Sequence, residues 1–265
     1  MNKTKLLAPL LLLLSISIDS GAASLDSLVR ANNLNAAVVV KSLKTGKLDV
    51  YNPQRAALQF LPASTFKIPN TLIALQTHAI RGLHDTIRWD GQHRSVDAWN
   101  HDQDLLSAFP YSCVWFYQVL AARIGNDTYL QYLQKLHYGN QLTGTDVTTF
   151  WLDGELRISA LEQIGFLEKV FLRQLPFEEE HYDLLNRVML ADSTANYRMY
   201  AKTGWSARVE VETGWYVGWV ITPDDVWFFA CNLQINQESD ALFRKELSYR
   251  FLRDLHIIPE SNSSR

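Results

Sequence analysis

Strand-like segments fall only towards the two ends of this 265-residue chain, with a long helical stretch between them. Residues 36–43 are apolar and Val-rich. Lys44-Thr45-Gly46-Lys47 and the segment Leu48–Tyr51 follow, which reads as a β-hairpin. Towards the other end, residues 197–202, 215–222 and 226–233 read as strands, with Pro223-Asp224-Asp225 as a turn between the last two. Between these groups lie helical patterns: residues 64–76, Val114–Ile124, 129–136, a run after Ser159, and 183–190. A closing helix is expected over 241–255, with Leu242, Phe243, Leu247, Phe251 and Leu255 on one stripe. Ser159 and Glu162 form a capping-box pattern before Ile164 and Leu167. Strands, helices, strands, helix predict an α+β fold, a central antiparallel sheet built from both chain ends and flanked by helices, with an inserted helical region.

The composition is that of a globular chain, 47% hydrophobic and 20% charged. A formal net charge of −3 gives no reason to expect nucleic acid or an anionic membrane as partner. Lys3 and Lys5 precede an apolar run from Leu6 to about Ile18, then small residues at 20–23, which is the order of a secretory signal peptide. Residues 1–22 are therefore expected to be removed, leaving 23–265 as a single exported domain with no further membrane segment. The histidines show no zinc-type spacing, so no metal is expected. Cys113 and Cys231 sit in separate apolar runs and read as two buried thiols rather than a disulfide.

Ser64-Thr65-Phe66-Lys67 is the first candidate for chemistry. At helical spacing Lys67 shares a face with Ser64, and a serine needs a neighbouring base to become a nucleophile. Lysine serves as that base only when apolar surroundings depress its pKa. The pattern alone is weak, because ordinary usage produces roughly one such match in a chain of this size. Further segments strengthen it. Ser112-Cys113-Val114 offers a second hydroxyl, and Lys202-Thr203-Gly204, followed by Trp205, offers a cation for an anionic substrate. Lys44-Thr45-Gly46 repeats the last motif in a hairpin turn, so order and context must decide between the copies. The absence of G-x-S-x-G argues against a nucleophile elbow with a histidine base.

The ordered set Ser64-Thr-Phe-Lys67, Ser112-x-Val114, Tyr138-Gly-Asn140, Trp151-Leu-Asp-Gly154 and Lys202-Thr-Gly204 resembles the class D (oxacillinase) serine β-lactamases. The strings Pro62-Ala-Ser-Thr-Phe-Lys-Ile-Pro69 and Gly214-Trp-Tyr-Val-Gly-Trp219 extend the resemblance over nearly the whole mature chain. The class A pattern S-D-N is replaced here by Ser112-Cys113-Val114. The resemblance implies a β-lactamase/DD-peptidase-like fold, a periplasmic location and hydrolysis of β-lactams through a serine acyl-enzyme. It implies Ser64 as nucleophile and Lys67 as N6-carboxylysine, formed from CO2 or bicarbonate with no other cofactor. Trp151 would donate to the carbamate, with Val114 and Leu152 as apolar walls. Backbone N–H groups of Ser64 and Trp205 would form the oxyanion hole, and Ser112 with Lys202 would relay a proton. Thr203, Gly204, Arg244 and Tyr138 would contact substrate, Tyr138 from the edge of the site.

The short segment between Lys202 and Trp215 resembles the carbapenem-hydrolysing branch. Its Arg208 would either pair with Asp153 and hold that segment over the pocket, or be an ordinary surface arginine on a hairpin. A penicillin sensor or a DD-peptidase would share the serine and lysines but be acylated without fast turnover. A homodimer is left open, since some members of the family are dimers.

Overall fold

The two ends of the chain meet in one antiparallel sheet. In the computed structural model, which describes residues 24–260, the elements run α1 (Leu25–Ala31), β1 (Ala36–Ser42), β2 (Leu48–Tyr51), α2 (Pro53–Ala57) and α3 (Lys67–Gln76). The helical middle continues with α4 (Leu105–Ala108), α5 (Val114–Ile124), α6 (Asn126–Leu136), α7 (Ala160–Phe171) and α8 (Glu179–Met189). Then come β3 (Leu190–Ser193), β4 (Arg198–Trp205), β5 (Glu212–Ile221), β6 (Val226–Ile235) and α9 (Phe243–Asp254). The strand order is β2-β1-β6-β5-β4-β3. Ala36 pairs with Leu233 and Ser42 with Trp227, so the N-terminal hairpin is zipped onto the C-terminal strands. The expected signal peptide, residues 1–22, lies outside the described residues.

Both faces of this sheet are covered. On one, Val38, Val40, Phe229, Cys231 and Leu233 pack against Leu25 and Val29 of α1 and Leu247 and Leu252 of α9. On the other, Ala37, Val39, Phe228 and Ala230 pack into a larger core with α3, α5 and α7. Burial on two faces explains why β1 and β6 read as unbroken apolar runs instead of alternating ones. The cysteines are free and buried, Cys113 in the larger core and Cys231 in the smaller, as two separate thiols should be.

Several local expectations hold. Ser159 Oγ accepts from the Glu162 N–H at 3.1 Å, and Glu162 Oε2 accepts from the Ser159 N–H at 2.7 Å, completing the capping box of α7. Others are corrected. Leu242 is 74% exposed and off the apolar stripe. It ends a 3-10 turn, Glu238–Leu242, that Asp240 holds by accepting the Asn236 and Gln237 N–H groups. α8 begins at Glu179 rather than at 183, and residue 190 belongs to the edge strand β3. Ser64 lies in a 3-10 turn, Ala63–Phe66, and α3 proper begins at Lys67. Pro69 then falls in the first turn of α3, where a helix tolerates proline better than deeper in.

Two glycines let the elements that carry the motifs come together. A Cβ on Gly204 of β4 would stand 3.0 Å from the Pro62 carbonyl oxygen and 3.1 Å from Thr65 Cγ2, so glycine there admits the turn that carries Ser64. A Cβ on Gly214 of β5 would stand 2.8 Å from Cγ and Cδ of Arg244. Gly214→Ala is expected to push the Arg244 side chain aside; with Arg244 holding a substrate anion, as the resemblance implies, KM for that substrate would rise about ten-fold, the size of one weakened charge-assisted hydrogen bond. Steady-state kinetics on the folded variant checks this.

Candidate active site

The Ser64 hydroxyl is presented by strained backbone. Ala63, immediately before it, has φ +48°, a left-handed value that costs a non-glycine residue of order 1–2 kcal/mol. The Ala63 N–H donates to the Trp151 carbonyl at 2.9 Å and Thr65 Oγ1 to the Pro62 carbonyl at 2.7 Å. Trp215 Nε1 reaches the Leu61 carbonyl at 2.8 Å. These contacts tie the serine turn to the sheet and to the 151–154 segment. Ser112 is likewise left-handed, with φ +57°, just before α5.

Lys67 is fully buried, and its Nζ donates to Ser64 Oγ at 3.1 Å. The amine lies 4.9 Å from the centre of the Tyr117 ring. Removal from water pushes its pKa down to about 7; the Cys113 thiol opposes this and Arg208 adds to it. Near neutral pH a large share of the amine is therefore unprotonated, which an exposed lysine near 10.4 is not. Phe66 stacks on Trp151, with ring centres 5.7 Å apart, and the Trp151 indole is wholly buried. Trp151 Nε1 has no hydrogen-bond partner among the described residues. A buried donor left unpaired costs about 1–3 kcal/mol, so an anionic acceptor formed on the Lys67 amine fits this pocket.

Lys202 Nζ donates to Ser112 Oγ in a short contact and to the Thr203 carbonyl at 3.1 Å. Burial, and then the positive charges of Lys67, Arg244 and Lys245, hold Lys202 well below the ordinary lysine range. Arg244 donates through Nε to the Ala241 carbonyl at 2.6 Å and through Nη1 to the Gly204 carbonyl at 2.9 Å. Its guanidinium stands 5.8 Å from the Trp205 ring centre.

Ser64, Ser112, Val114, Leu152, Thr203, Gly204, Trp205 and Arg244 all line one cleft of about 700 Å³. Lys67, Trp151 and Lys202 are buried rather than lining it, yet Lys67 reaches Ser64 and Lys202 reaches Ser112 on its wall. Tyr138 is the exception and corrects its assignment as a substrate contact. It has no exposed surface, packs edge-on against Phe66 and Phe166, and does not line the cleft. Its ring belongs to the aromatic cluster behind Phe66. Asn140 is also structural, accepting from the Arg157 N–H at 2.9 Å and donating to the Glu155 carbonyl at 2.8 Å. Arg208 pairs with Asp153 at 3.3 Å, and Ala207 and Arg208 line the cleft. Four further lining residues, Ser95, Val96, Trp99 and Glu238, were not picked out from the sequence. They carry no local motif; Trp99 and Glu238 stand in short 3-10 turns and Ser95 and Val96 in the segment before the first of these.

The family of the penicillin binding protein transpeptidase domain matches residues 33–253. Beta-lactamase OXA-48 of Klebsiella pneumoniae is 42% identical over 208 residues, spanning 78% of this chain and 78% of that protein. Beta-lactamase OXA-2 of Salmonella typhimurium is 42% identical over 211 residues, spanning 79% of this chain and 75% of that protein. Among solved structures, the class D β-lactamase YbXI from Nostoc superposes with a TM-score of 0.86 at 36% identity, covering 89% of this chain and 100% of that one.

Proposed function

This chain belongs to the class D β-lactamases and hydrolyses β-lactams, and we propose that it does so through an acyl-enzyme on Ser64 with carboxylated Lys67 as the base for both acylation and deacylation. The observation that carries this reading is the Lys67 Nζ to Ser64 Oγ contact of 3.1 Å, in a buried pocket where Trp151 Nε1 has no partner among the described residues. Only a neutral amine reacts with CO2, and a lysine lowered to about 7 offers one. The carbamate would supply an anionic base that stays deprotonated at neutral pH. Trp151 would hold it by donating Nε1–H, and Val114 and Leu152, on the cleft wall, would limit water beside it.

The remaining roles follow from the geometry. Ser64 gives up its proton as its oxygen attacks the lactam carbonyl. The backbone N–H groups of Ser64 and Trp205 stabilise the oxyanion, where one donor is worth about 2.7–4 kcal/mol of barrier. Lys202 donates to Ser112 Oγ, which leaves the Ser112 hydroxyl proton free to pass to the departing lactam nitrogen. Thr203 and Arg244 line the cleft beside Gly204 and receive the substrate carboxylate. Water then attacks the acyl-enzyme with the base at Lys67 accepting its proton. Turnover of this kind confers β-lactam resistance on a cell that exports the protein. The charged, apolar and small-residue order of residues 1–22 supports cleavage and a periplasmic location. Among the described residues no helix is long and apolar enough to cross a membrane.

Steady-state hydrolysis of a chromogenic cephalosporin, with and without added bicarbonate, tests the reading. Many turnovers that rise with bicarbonate are expected. A single stoichiometric burst that bicarbonate does not extend would point instead to a penicillin sensor or a DD-peptidase.

The Arg208–Asp153 pair supports a finer reading, that the loop after β4 is held over the cleft in a way that favours carbapenems. Both side chains are partly exposed, so the pair itself contributes at most about 1 kcal/mol. Arg208→Ala is expected to lower the ratio of imipenem to oxacillin turnover several-fold, and an unchanged ratio removes the carbapenem reading.

A further inference from the structure

Among the described residues, the wall of the catalytic cleft holds two cations, Arg208 and Arg244, and a single acid, Glu238. Glu238 opens the 3-10 turn that leads into α9, so the same short segment supplies both Glu238 and Arg244 to the cleft. The Glu238 side chain is exposed, and none of the ion pairs or side-chain hydrogen bonds among the described residues engages its carboxylate. Beyond Glu238 the cleft runs on into a groove of about 500 Å³, and the two cavities share Trp205 and Glu238. Among the described residues, the charged ones lining that groove are Glu210, Glu212 and Glu238, with no cation. Glu212 is committed, accepting from Trp205 Nε1 at 2.5 Å and so fixing the ring that Arg244 overlies. Glu238 thus stands where a cationic cleft gives way to a negative extension.

The chemistry of the substrate class says what would occupy that boundary. In cephalosporins and carbapenems the ring carbon bearing the carboxylate is bonded to a carbon that carries a variable substituent. With the carboxylate received at Thr203 and Arg244, that substituent leaves the ring beside the anchored anion, in the cleft whose wall Arg244 shares with Trp205 and Glu238. We propose that Glu238 is a specificity-determining residue, which favours β-lactams carrying a fixed positive charge on the substituent next to the ring carboxylate. This rests on the placement of the carboxylate argued above. The groove gives the substituent room, and Glu210 on its rim adds to the same field. An exposed carboxylate facing a cation through water is worth up to about a five-fold preference, and salt screens it.

The test compares two cephalosporins with the same acyl side chain, one with an N-methylpyrrolidinium-methyl group at that position and one with a neutral acetoxymethyl group. The quantity read is the ratio of their second-order rate constants for acylation of Ser64, followed by mass spectrometry of the intact protein. Glu238→Gln is expected to lower the ratio of cationic to neutral substrate about three- to five-fold, and Glu238→Asp to retain most of it. Raising salt to ~1 M should shrink the wild-type ratio in the same direction, because the Debye length falls to about 3 Å. A ratio that Glu238→Gln leaves unmoved overturns the proposal. Acylation is read before turnover, so a protein that acylates and stalls defeats the hydrolytic mechanism while the ratio still judges Glu238. If Arg244→Ala leaves acylation by both compounds unchanged, the carboxylate lies elsewhere and the proposal falls with its placement.

Discussion

Replacing Lys67 by methionine should stabilise the protein while abolishing its turnover of β-lactams. The two effects have one origin. Lys67 has no exposed surface, and burial brings its amine to about 7. A lysine held near 7 in the folded state and near 10.4 in the unfolded chain costs folding on the order of 5 kcal/mol where both states are protonated. The sign follows from proton binding. Between about pH 7 and 10.4 the unfolded state binds more protons, so the penalty shrinks as pH rises through that window. Below about 7 it is felt in full. Methionine fills a similar volume with no charge to desolvate. Even a third of the penalty recovered raises Tm by about 5 °C in a chain of this size. The gain should be measured in CO2-free buffer at pH 7 and should fade towards pH 10. Loss of the base is expected to lower kcat by about 10²- to 10⁴-fold, the usual contribution of a general base. A Lys67→Met protein no more stable than the wild type at pH 7 would show that the pocket solvates the ammonium and does not depress it.

That conflict between stability and function helps to explain what the sequence does and does not disclose. Ser64 and Lys67 are legible because a one-turn spacing is enforced by local backbone geometry. The strands β1 and β6 are legible because both of their faces are buried, which leaves a continuous apolar signature. Tyr138 misled because its motif lies beside the site in sequence, while its ring turns into the cluster with Phe66 and Phe166. No local pattern distinguishes the two outcomes. Leu242 misled for a related reason: it fits the helical stripe, but the capping bonds of Asp240 put it in a 3-10 turn before the helix begins. Trp99 and Glu238 reach the cleft from short 3-10 turns, and such placements are set by tertiary packing that periodicity does not record. The left-handed backbone at Ala63 and Ser112 is equally silent, since neither residue type favours it. In each of these cases the long-range fold overrides the local signal, and the strained pair sits at Ser64 and Ser112.

Trp151→Phe should separate carboxylation of Lys67 from every other part of the mechanism. Phenylalanine keeps an aromatic ring against Phe66 but lacks Nε1, the donor that has no partner among the described residues. A hydrogen bond to an ionic acceptor is worth about 1.5–3 kcal/mol, so its loss should weaken CO2 uptake by Lys67 roughly 10- to 150-fold. At ambient CO2 the variant is expected to be slowed in both acylation and deacylation, and saturating bicarbonate should restore a good part of kcat. The carbamate carbon gives a direct readout: its signal in ¹³C NMR with labelled bicarbonate should titrate at a correspondingly higher concentration than in the wild type. Acidity should act in the same direction. Forming the carbamate from a protonated amine releases two protons. Once pH drops well below about 7, the carbamate signal at fixed dissolved CO2 should therefore fall by up to about a hundred-fold per pH unit. A Trp151→Phe enzyme whose carbamate signal and bicarbonate dependence match the wild type would show that the indole N–H does not hold the modified lysine. The carbamate would then need another donor in the same buried pocket.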